Sequence, residues 1–517
     1  MIPGFFNLSN TSKTPTTTNS ITNERKIGAY AEATLGFDEQ VYLTGDIRND
    51  WSSTLPTDHN SIFYPGANIS WIASQLFSGR NDISFLKVRL AYGKTGSDPA
   101  PYNVYQTLGS GSVDLPPQGT LTFPFNGVSG YGISTTLNNA DLKPIFTTEV
   151  ETGVEARFFK DRIGLDATVY DKKTKGQIFP VLVAPSTGYT NVVENLGQVS
   201  NKGIELTLNV KPVETRDFSW NFTYVFARNW NRVDNLNGTS PDPLLTGQGT
   251  LGDAEMRAVV GKTVSSIYSV VPQMTPTGQV VVNPVTGLPL PNGSFLDANQ
   301  LTKGYFGTGL YTYTMGLTNT VSYKNFSLNF SLDFRYGGVM YSNTADLVLF
   351  DGNGVATTYN DRRPFIIPNS VVAAGSSGGK TVYVPNTIQI GGGQNNIPSQ
   401  YIPTGGINET NQIYNYYSEG SSYSGGASAM RIFDRSFLKL RDVNLSYSLP
   451  KSVLAGLRMS SATIGVFGRN FLLWTPKANV YVDPEATNLG NDLAGQVGEF
   501  ATTPLTRSYG IIFKAVF

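Results

Sequence analysis

Segments in which apolar and polar residues alternate one by one recur along most of this 517-residue chain. In segment 326–335 every second residue is Phe or Leu, and the residues between them are Ser, Asn, Asp and Arg. Residues two apart lie on the same face of a β-strand, so the segment predicts a strand with one apolar and one polar face. The same pattern marks 86–92, 149–158, 204–211 and 218–226. The chain is therefore predicted to be all-β.

The chain also ends in such a segment. Tyr509, Ile511, Phe513, Ala515 and Phe517 occupy alternate positions, and the last residue is aromatic. A final strand that is apolar on one face and ends in an aromatic residue is typical of an outer-membrane β-barrel. We expect Tyr509, Phe513 and Phe517 to act as the signal for barrel assembly.

Composition narrows the class of protein. Lys+Arg and Asp+Glu each number 38, so no net charge attracts nucleic acid, and no nucleic-acid partner is expected. No apolar run approaches the roughly 20 residues of a membrane helix, whereas alternation permits membrane-spanning strands. The chain has no Cys and a single His, His59, so no disulfide, no thiolate or His-cluster metal site and no cofactor is predicted. Asp351, Asn353 and Asp361 offer oxygen ligands of the kind that Ca²⁺ takes, but their spacing matches no known calcium loop, so no metal site is assigned and bound calcium is left open.

Weaker segments of the same kind raise the prediction to about thirteen strands, each near the roughly 9–11 residues that cross a bilayer when tilted. These weaker segments are 27–37, 40–48, 64–73, 162–170, 311–323, 437–449 and 461–470. In 437–449 the alternation slips, which predicts a β-bulge near Arg441 and Asp442.

The connections between these segments are of two kinds. Some are short turns, such as 38–39 and 324–325, and others are long loops, such as 230–310 and 337–436. Short turns at one edge and long loops at the other are typical of an outer-membrane barrel. We predict an antiparallel transmembrane β-barrel portion with long extracellular loops, in which residues 1–517 form one domain.

The direction of the strands carries a further expectation. The first and the last predicted strand both run toward the short-turn side, whereas a bacterial barrel begins there and has an even number of strands. An odd number of strands is therefore expected to precede residue 1. The start of the chain shows no signal peptide, which fits an N-terminally truncated chain.

Specific motifs are spread along most of the chain, namely RNDWSSTLP at 48–56, FYP at 63–65, FLKVRLAYGKTG at 85–96, NNADLKP at 138–144, TTEVETGVE at 147–155, NKGIE at 201–205, FLKLRDVNLSY at 437–447, LP at 449–450 and GRNFLLW at 468–474. Together they resemble the SusC/RagA-type TonB-linked (TonB-dependent) outer-membrane proteins of Bacteroidota. The resemblance implies a barrel of about 22 strands, of which about nine would be absent here. It also implies that the N-terminal plug domain and the energy-coupling box are absent from this chain.

The same resemblance implies partners. These are a SusD-like surface lipoprotein that acts as a lid, the TonB–ExbB–ExbD complex acting through the missing N-terminal part, the barrel-assembly machinery and outer-membrane lipid. The implied substrate is a glycan or an oligopeptide, and the sequence does not say which.

Two groups of residues are candidates for function. Charged residues on the polar faces are expected to line the lumen, with cation binding or acid–base chemistry as an alternative for the three glutamates; these are Lys87, Arg89, Glu149, Glu151, Glu155, Arg157, Asp333 and Arg335. Tyrosines of the long loop 337–436 are expected to bind sugar rings or a partner protein, with a plain mobile loop as the alternative; these are Tyr414, Tyr416, Tyr417 and Tyr423.

The leading hypothesis is an outer-membrane nutrient importer that performs no covalent chemistry. An alternative is a surface-binding or adhesin barrel that does not transport. A third is an outer-membrane hydrolase that would use His59 with a Ser and an Asp, although no signature surrounds His59.

Overall fold

The structure is a computed structural model. It describes residues 21–77, 82–115, 119–123, 125–126, 128–236, 244–246, 254–292, 303–391, 412–417, 428–457, 459–490 and 494–517. Among these residues, no helix is both long enough and apolar enough to cross a membrane.

Among the described residues, the main sheet has fourteen strands, and thirteen of them follow one another in chain order along a single hydrogen-bonded path. The fourteenth, Thr136–Leu137, pairs with the start of β7. The thirteen are β1 (Lys26–Phe37), β2 (Val41–Ser52), β3 (Ser61–Ile72), β4 (Ile83–Ser97), β5 (Ile145–Phe158), β6 (Ile163–Leu182), β7 (Asn191–Glu214), β8 (Phe218–Asn235), β9 (Tyr313–Tyr323), β10 (Phe326–Tyr336), β11 (Phe437–Ser448), β12 (Ser461–Trp474) and β13 (Ser508–Val516).

Every neighbouring pair on this path is antiparallel. Each segment predicted from alternation overlaps one of these strands, so the all-β antiparallel class is confirmed. A total of about 22 strands, the absent plug and the single-domain assignment stay predictions.

The strands extend further than the alternation indicates. β7 begins at Asn191, well before the predicted start at 204, and its register with β6 continues to the pair Leu182–Asn191. Backbone hydrogen bonds hold a ladder together whether or not its side chains alternate, so pattern alone underestimates strand length. β6 and β7, with 20 and 24 residues, project beyond their neighbours at the long-loop edge.

The predicted bulge is present in β11. On β10, Leu440 and Asp442 pair with two successive residues, so Arg441 between them has no partner there. Arg441 also has no partner on β12, where Leu440 pairs with Leu472 and Asp442 with Arg469. The extra residue brings the Arg441 guanidinium to Asp333 on the polar face of β10.

The apolar face of the sheet is exposed. Phe513 on β13 lies beside Ile464 on β12, and their side chains are 63% and 47% exposed. The same face presents other large exposed side chains, namely Leu35, Leu43, Ile47, Ile69, Trp71, Val88, Leu90, Val150 and Val154. Water would oppose an apolar face of this width, so the face indicates a non-aqueous environment.

The polar face lines a cavity of about 580 Å³ that spans β1 to β6. Tyr30, Asp46, Tyr64, Glu149 and Lys172 contribute to it from five different strands. A single cavity lined by one face of so many strands shows that the sheet curves around that face.

The well-packed cores lie in the long loops. One groups Ala254, Met256, Tyr341 and Val497, and another groups Val282, Phe365, Ile367 and Ile390 with their neighbours. In the part of the connections that the structure describes there are three α-helices: α1 (Asn343–Phe350), α2 (Gln412–Tyr417) and, in the connection between β11 and β12, α3 (Lys451–Leu457). The Ser342 hydroxyl caps α1 by accepting a hydrogen bond from the Ala345 N–H at 3.0 Å.

Small sheets complete the long loops. One contains Leu244–Thr246, Glu255–Arg257, Ser266–Val270 and Lys303–Thr308; a second contains Val280–Val281, Ser370–Ser377 and Lys380–Pro385; and a third contains Ile432–Asp434, Val339–Ser342 and Gly498–Glu499. Two pairs, Leu108–Ser110 with Tyr131–Ile133 and Ser112–Leu115 with Gly119–Thr122, lie between β4 and β5. The described parts of the long loops are therefore largely folded structures.

Candidate functional site

The polar face of β4, β5 and β6 carries a bridge between strands that are not neighbours. Arg89 on β4 donates to both carboxylate oxygens of Asp166 on β6, at 2.8 and 3.1 Å, and also to the Thr168 hydroxyl. Gly153 of β5 lies between them in the register, and a Cβ there would lie 2.6 Å from Arg89 Cζ. The absence of a side chain at Gly153 gives Arg89 its path across β5.

The three predicted glutamates lie on this same face of β5. Glu149 lies 3.8 Å from Lys172 Nζ, and Glu155 accepts from Arg157 at 2.8 Å. Glu151 lines the 580 Å³ cavity together with Glu149, and both also line a neighbouring cavity of about 350 Å³. Their carboxylates thus lie among basic and hydroxyl groups of adjacent strands, and a lumen-lining role stays a prediction.

The other four predicted lumen residues lie in two separate places on the sheet, two on β4 and two on β10. Lys87 stands opposite Glu155 in the register of β4 and β5, and Arg89 makes the bridge described above. Asp333 and Arg335 belong to a separate ion-pair cluster where β10 and β11 meet the last long loop, 475–507.

Lys439 lies at the centre of this cluster. Its side chain is 1% exposed, and its Nζ donates to Asp483 at 2.7 Å and to Glu485 Oε2 at 2.6 Å. Both acids belong to loop 475–507. A buried ammonium needs such partners, because removing the charge from water is otherwise strongly unfavourable.

Two arginines of the sheet bind the other oxygen of Glu485. Arg441 Nη2 lies 2.5 Å and Arg335 Nη2 lies 3.1 Å from Glu485 Oε1. Both arginines also contact Asp333. Glu485 is therefore held through both oxygens by three cations of the sheet.

Aromatic rings pack beneath the cations. Phe437, which is buried, has Lys439 Nζ 5.1 Å and the Arg335 guanidinium 5.5 Å from its ring centre, and Tyr311 packs edge-on against it. Cations near an aromatic face are attracted by the ring electrons. Arg435 lies over Tyr311 at 4.5 Å.

The electrostatics of the cluster hold Glu485 ionised. Burial alone would raise its pKa, but hydrogen bonds and charges from Arg441 and Lys439 lower the pKa from the ordinary 4.5 to about 2. Glu485 is therefore ionised near neutral pH.

The predicted loop tyrosines are placed differently from expectation where they are described. Tyr417, only 6% exposed, donates its hydroxyl to the Ala356 carbonyl at 2.7 Å, and burial raises its pKa to about 12. Tyr416 packs edge-on against Tyr417 and Phe365. The expectation that Tyr417 offers an exposed ring is wrong, because packing in the loop core covers it.

The side chain of Tyr414 and all of Tyr423 lie outside the described residues. A binding role for the four tyrosines stays a prediction.

The C-terminal aromatics lie on the exposed apolar face. Tyr509, Phe513 and Phe517 are 82%, 63% and 83% exposed. Their role in barrel assembly stays a prediction.

Sequence reasoning missed Lys439, Asp483 and Glu485. The one signal in the sequence that pointed toward this cluster was the slip of alternation at Arg441, because it marks a charged residue that does not fit the regular strand pattern. Asp483 and Glu485 lie in a loop without periodicity, so no pattern points to them.

His59 lies in the loop 53–60 between β2 and β3. Its ring Nε2 lies 3.7 Å from Asp58, the preceding residue of the same loop. This contact between exposed neighbours gives the hydrolase hypothesis no support.

Comparison with known proteins identifies the class. The family model described as "TonB dependent receptor-like, beta-barrel" matches residues 3–268, and the chain belongs to this family. It is 25% identical over 513 residues to TonB-dependent receptor P26 of Formosa agariphila, covering 96% of this chain and 46% of that protein. It is 28% identical over 349 residues to TonB-dependent receptor SusC of Bacteroides thetaiotaomicron, covering 61% of this chain and 32% of that protein.

Solved structures agree in fold. The structure of the RagAB peptide transporter matches with a TM-score of 0.66 at 18% identity, covering 97% of this chain and 49% of that one. The chain spans less than half the length of each of these proteins. The SusC/RagA-type resemblance and the outer-membrane location are confirmed.

The family is one of receptors and transporters and is not a class of enzymes. By the general rule for such barrels, we expect the exposed apolar face to meet lipid and the polar face to meet the lumen. Short turns of such barrels lie in the periplasm and long loops lie outside, so we expect the ion-pair cluster to lie at the extracellular end of the lumen.

Proposed function

We propose that this chain is part of an active importer that carries oligosaccharides or oligopeptides across the outer membrane. The observation that carries the proposal is the polar lumen face, whose 580 Å³ cavity is lined by Asp46, Arg48, Glu149, Lys172 and their neighbours. Carboxylates, cations and hydroxyls along one continuous wall suit a hydrated, polar solute.

The proposed mechanism needs partners. A SusD-like lipoprotein would close over the long extracellular loops, and the TonB–ExbB–ExbD complex would supply energy through the rest of the protein. The similarity to SusC and to the protein of the RagAB peptide importer supports both partners. The proposed mechanism involves binding and passage of the solute and no covalent step.

Growth on single nutrients tests the import proposal. We expect that deletion of the full-length gene abolishes growth on at least one oligosaccharide or peptide as sole source, and that the intact gene restores it. A deletion strain that grows normally on a broad panel of both would contradict import.

A second candidate is a surface-binding barrel that does not transport. It is favoured by an exposed apolar group on the loop between β4 and β5, where Tyr105, Leu108, Tyr131 and Ile133 are all at least 60% exposed. Cells that lose attachment to a surface or partner on deletion, while keeping all nutrient uptake, would favour this candidate over import.

A further inference from the structure

The ion-pair cluster divides into two parts that belong to different elements. The barrel wall contributes three cations, Arg335, Lys439 and Arg441, and one anion, Asp333. Loop 475–507 contributes two anions, Asp483 and Glu485. The wall alone therefore carries two positive charges in excess, and the loop neutralises them.

The wall cations are arranged around one carboxylate. Arg335 and Arg441 bind Oε1 of Glu485, and Lys439 binds Oε2. Capture of both oxygens by guanidinium and ammonium groups is how proteins recognise a ligand carboxylate. Here the ligand position is filled by a side chain of the protein itself.

The wall positions these cations independently of the loop. Lys439 stands opposite Asp333 in the register of β10 and β11, and the bulge leaves Arg441 outside that register with its guanidinium at Asp333. Phe437 packs beneath Arg335, Lys439 and Arg441, with all three charges 5.1–5.7 Å from its ring. These supports remain when Glu485 leaves.

Space for a ligand adjoins the cluster. A cavity of about 180 Å³ is bounded by Lys439, Leu473 and the loop residues Tyr481, Asp483 and Arg507. It places Lys439 and Asp483 of the cluster next to an aromatic and aliphatic surface, which suits one carboxylate-bearing unit of an oligomer.

We propose that Arg335, Lys439 and Arg441 form a carboxylate-binding site in the mouth of the lumen, which Asp483 and Glu485 occupy until loop 475–507 lifts and a solute carboxylate replaces them. This inference rests on the proposed import function. The ligand chemistry is a carboxylate on an oligomer, supplied either by a uronic acid of an oligosaccharide or by an acidic side chain or terminus of a peptide.

Binding to the purified full-length receptor tests the site. The probes are a uronic-acid oligosaccharide, an acidic peptide and a neutral counterpart of each. We expect the double variant Asp483→Asn, Glu485→Gln to bind a carboxylate-bearing probe about 10-fold or more tighter than the unmodified receptor. The two carboxylate probes separate the sugar source from the peptide source.

Two control variants and the neutral probes distinguish a carboxylate-binding site from a loop that simply blocks the lumen for every solute. Asp361→Asn removes a charge from the exposed pair that Asp361 forms with Arg363, and it should change nothing. Adding Arg441→Gln to the double variant should abolish the gain. An equal gain for the neutral probes would mean that the loop merely blocks the lumen, and it would overturn the proposal.

A second variant covers the case in which the loop stays in place after neutralisation. Glu485→Arg repels the wall cations and forces the loop away from them. Unchanged affinity for both carboxylate probes in both variants would also overturn the proposal. Growth on neutral oligomers that needs the receptor would leave the import function standing, whereas absence of uptake of every solute would refute import itself.

Discussion

Gly153 is important because the Arg89 side chain lies across its position. Arg89 crosses its position to reach Asp166, so a methyl group there would meet the guanidinium carbon at 2.6 Å. Gly93 lies in the neighbouring strand β4, opposite Glu149, and a Cβ at Gly93 would meet no atom within 4 Å. The two glycines therefore form a matched pair on one wall.

We expect Gly153→Ala to lower the stability of the folded receptor by about 1–3 kcal/mol, because Arg89 must leave its bidentate pair with Asp166. Gly93→Ala should have little effect. The midpoint of thermal unfolding in detergent measures both variants. Equal effects of the two substitutions would contradict the crossing argument.

Glu485 makes the contact between loop and wall sensitive to acid. A carboxylate whose folded pKa is lowered stabilises the folded form above its unfolded pKa and loses that contribution as the pH falls toward the folded value. With the pKa lowered from 4.5 to about 2, the contribution is complete at neutral pH and is lost between about pH 4.5 and pH 2. The difference corresponds to at most roughly 3 kcal/mol.

We expect hydrogen exchange of loop 475–507 to be slow at neutral pH and to accelerate as the pH falls below about 4.5, after correction for the intrinsic pH dependence of exchange. Asp333, Asp483, Arg335, Lys439 and Arg441 face the same carboxylate, so Glu485→Gln should weaken this acceleration without removing it. Acid sensitivity identical in the variant and the unmodified receptor would show that Glu485 does not fasten the loop.

Among the strands, the bulge in β11 inserts one residue, Arg441, whose side chain joins the ion-pair cluster. Arg441 is the extra residue, and the residues on either side of it keep their faces if it is removed. Lys439 and Asp442 would still point to the lumen, because deleting one extra residue restores regular alternation. Deleting a regular residue instead turns every following side chain to the other face.

We expect deletion of Arg441 to leave a folded barrel whose loop 475–507 is more accessible to protease. Deletion of Asn444, a regularly paired residue of the same strand, should abolish folding, because it sends lumen residues into lipid. The fraction of receptor recovered as folded barrel in the outer membrane measures both. Recovery of the Asn444 deletion at normal levels would contradict the assigned register.

The loop elements are stabilised by their own packing. Tyr417 of α2 donates to the Ala356 carbonyl inside the loop core. We expect Tyr417→Phe to destabilise this loop by about 1 kcal/mol, because the carbonyl loses a buried partner while the ring packing remains. Limited proteolysis within 337–436 measures the change, and Val285→Ala, at a position 83% exposed, is the control. A loop equally resistant in both variants would exclude this contribution.

For the whole molecule, we expect the two faces of the sheet to meet different environments, lipid on the apolar face and the aqueous lumen on the polar face. Phe513 and Ile512 are adjacent in β13, yet alternation places Phe513 on the lipid side and Ile512 on the lumen side. An arginine at the bilayer midplane costs about 2–4 kcal/mol on the lipid side, and less toward the interfaces.

We therefore expect Phe513→Arg to reduce the amount of folded receptor in the outer membrane far more than Ile512→Arg. Heat-modifiable mobility of outer-membrane fractions measures the folded amount. A stronger defect from Ile512→Arg would mean that the faces are assigned the wrong way round.

The strands, their two faces, the all-β class and the bulge at Arg441 can all be predicted from the sequence alone. Each depends on neighbours a few residues apart, where the two-residue period of a strand connects position directly to face. The alternating pattern and the C-terminal strand already indicate an outer-membrane barrel, and the family resemblance agrees with that location.

The loop residues that contact the barrel wall become visible only in the folded chain. Glu485 lies 44 residues from Arg441 and 46 from Lys439, and Tyr417 reaches Ala356 across 61 residues. The loops have no periodicity, and their contacts form where chain segments distant in sequence approach one another. The charged groups of the cluster find partners only in that approach, so no local pattern could specify them.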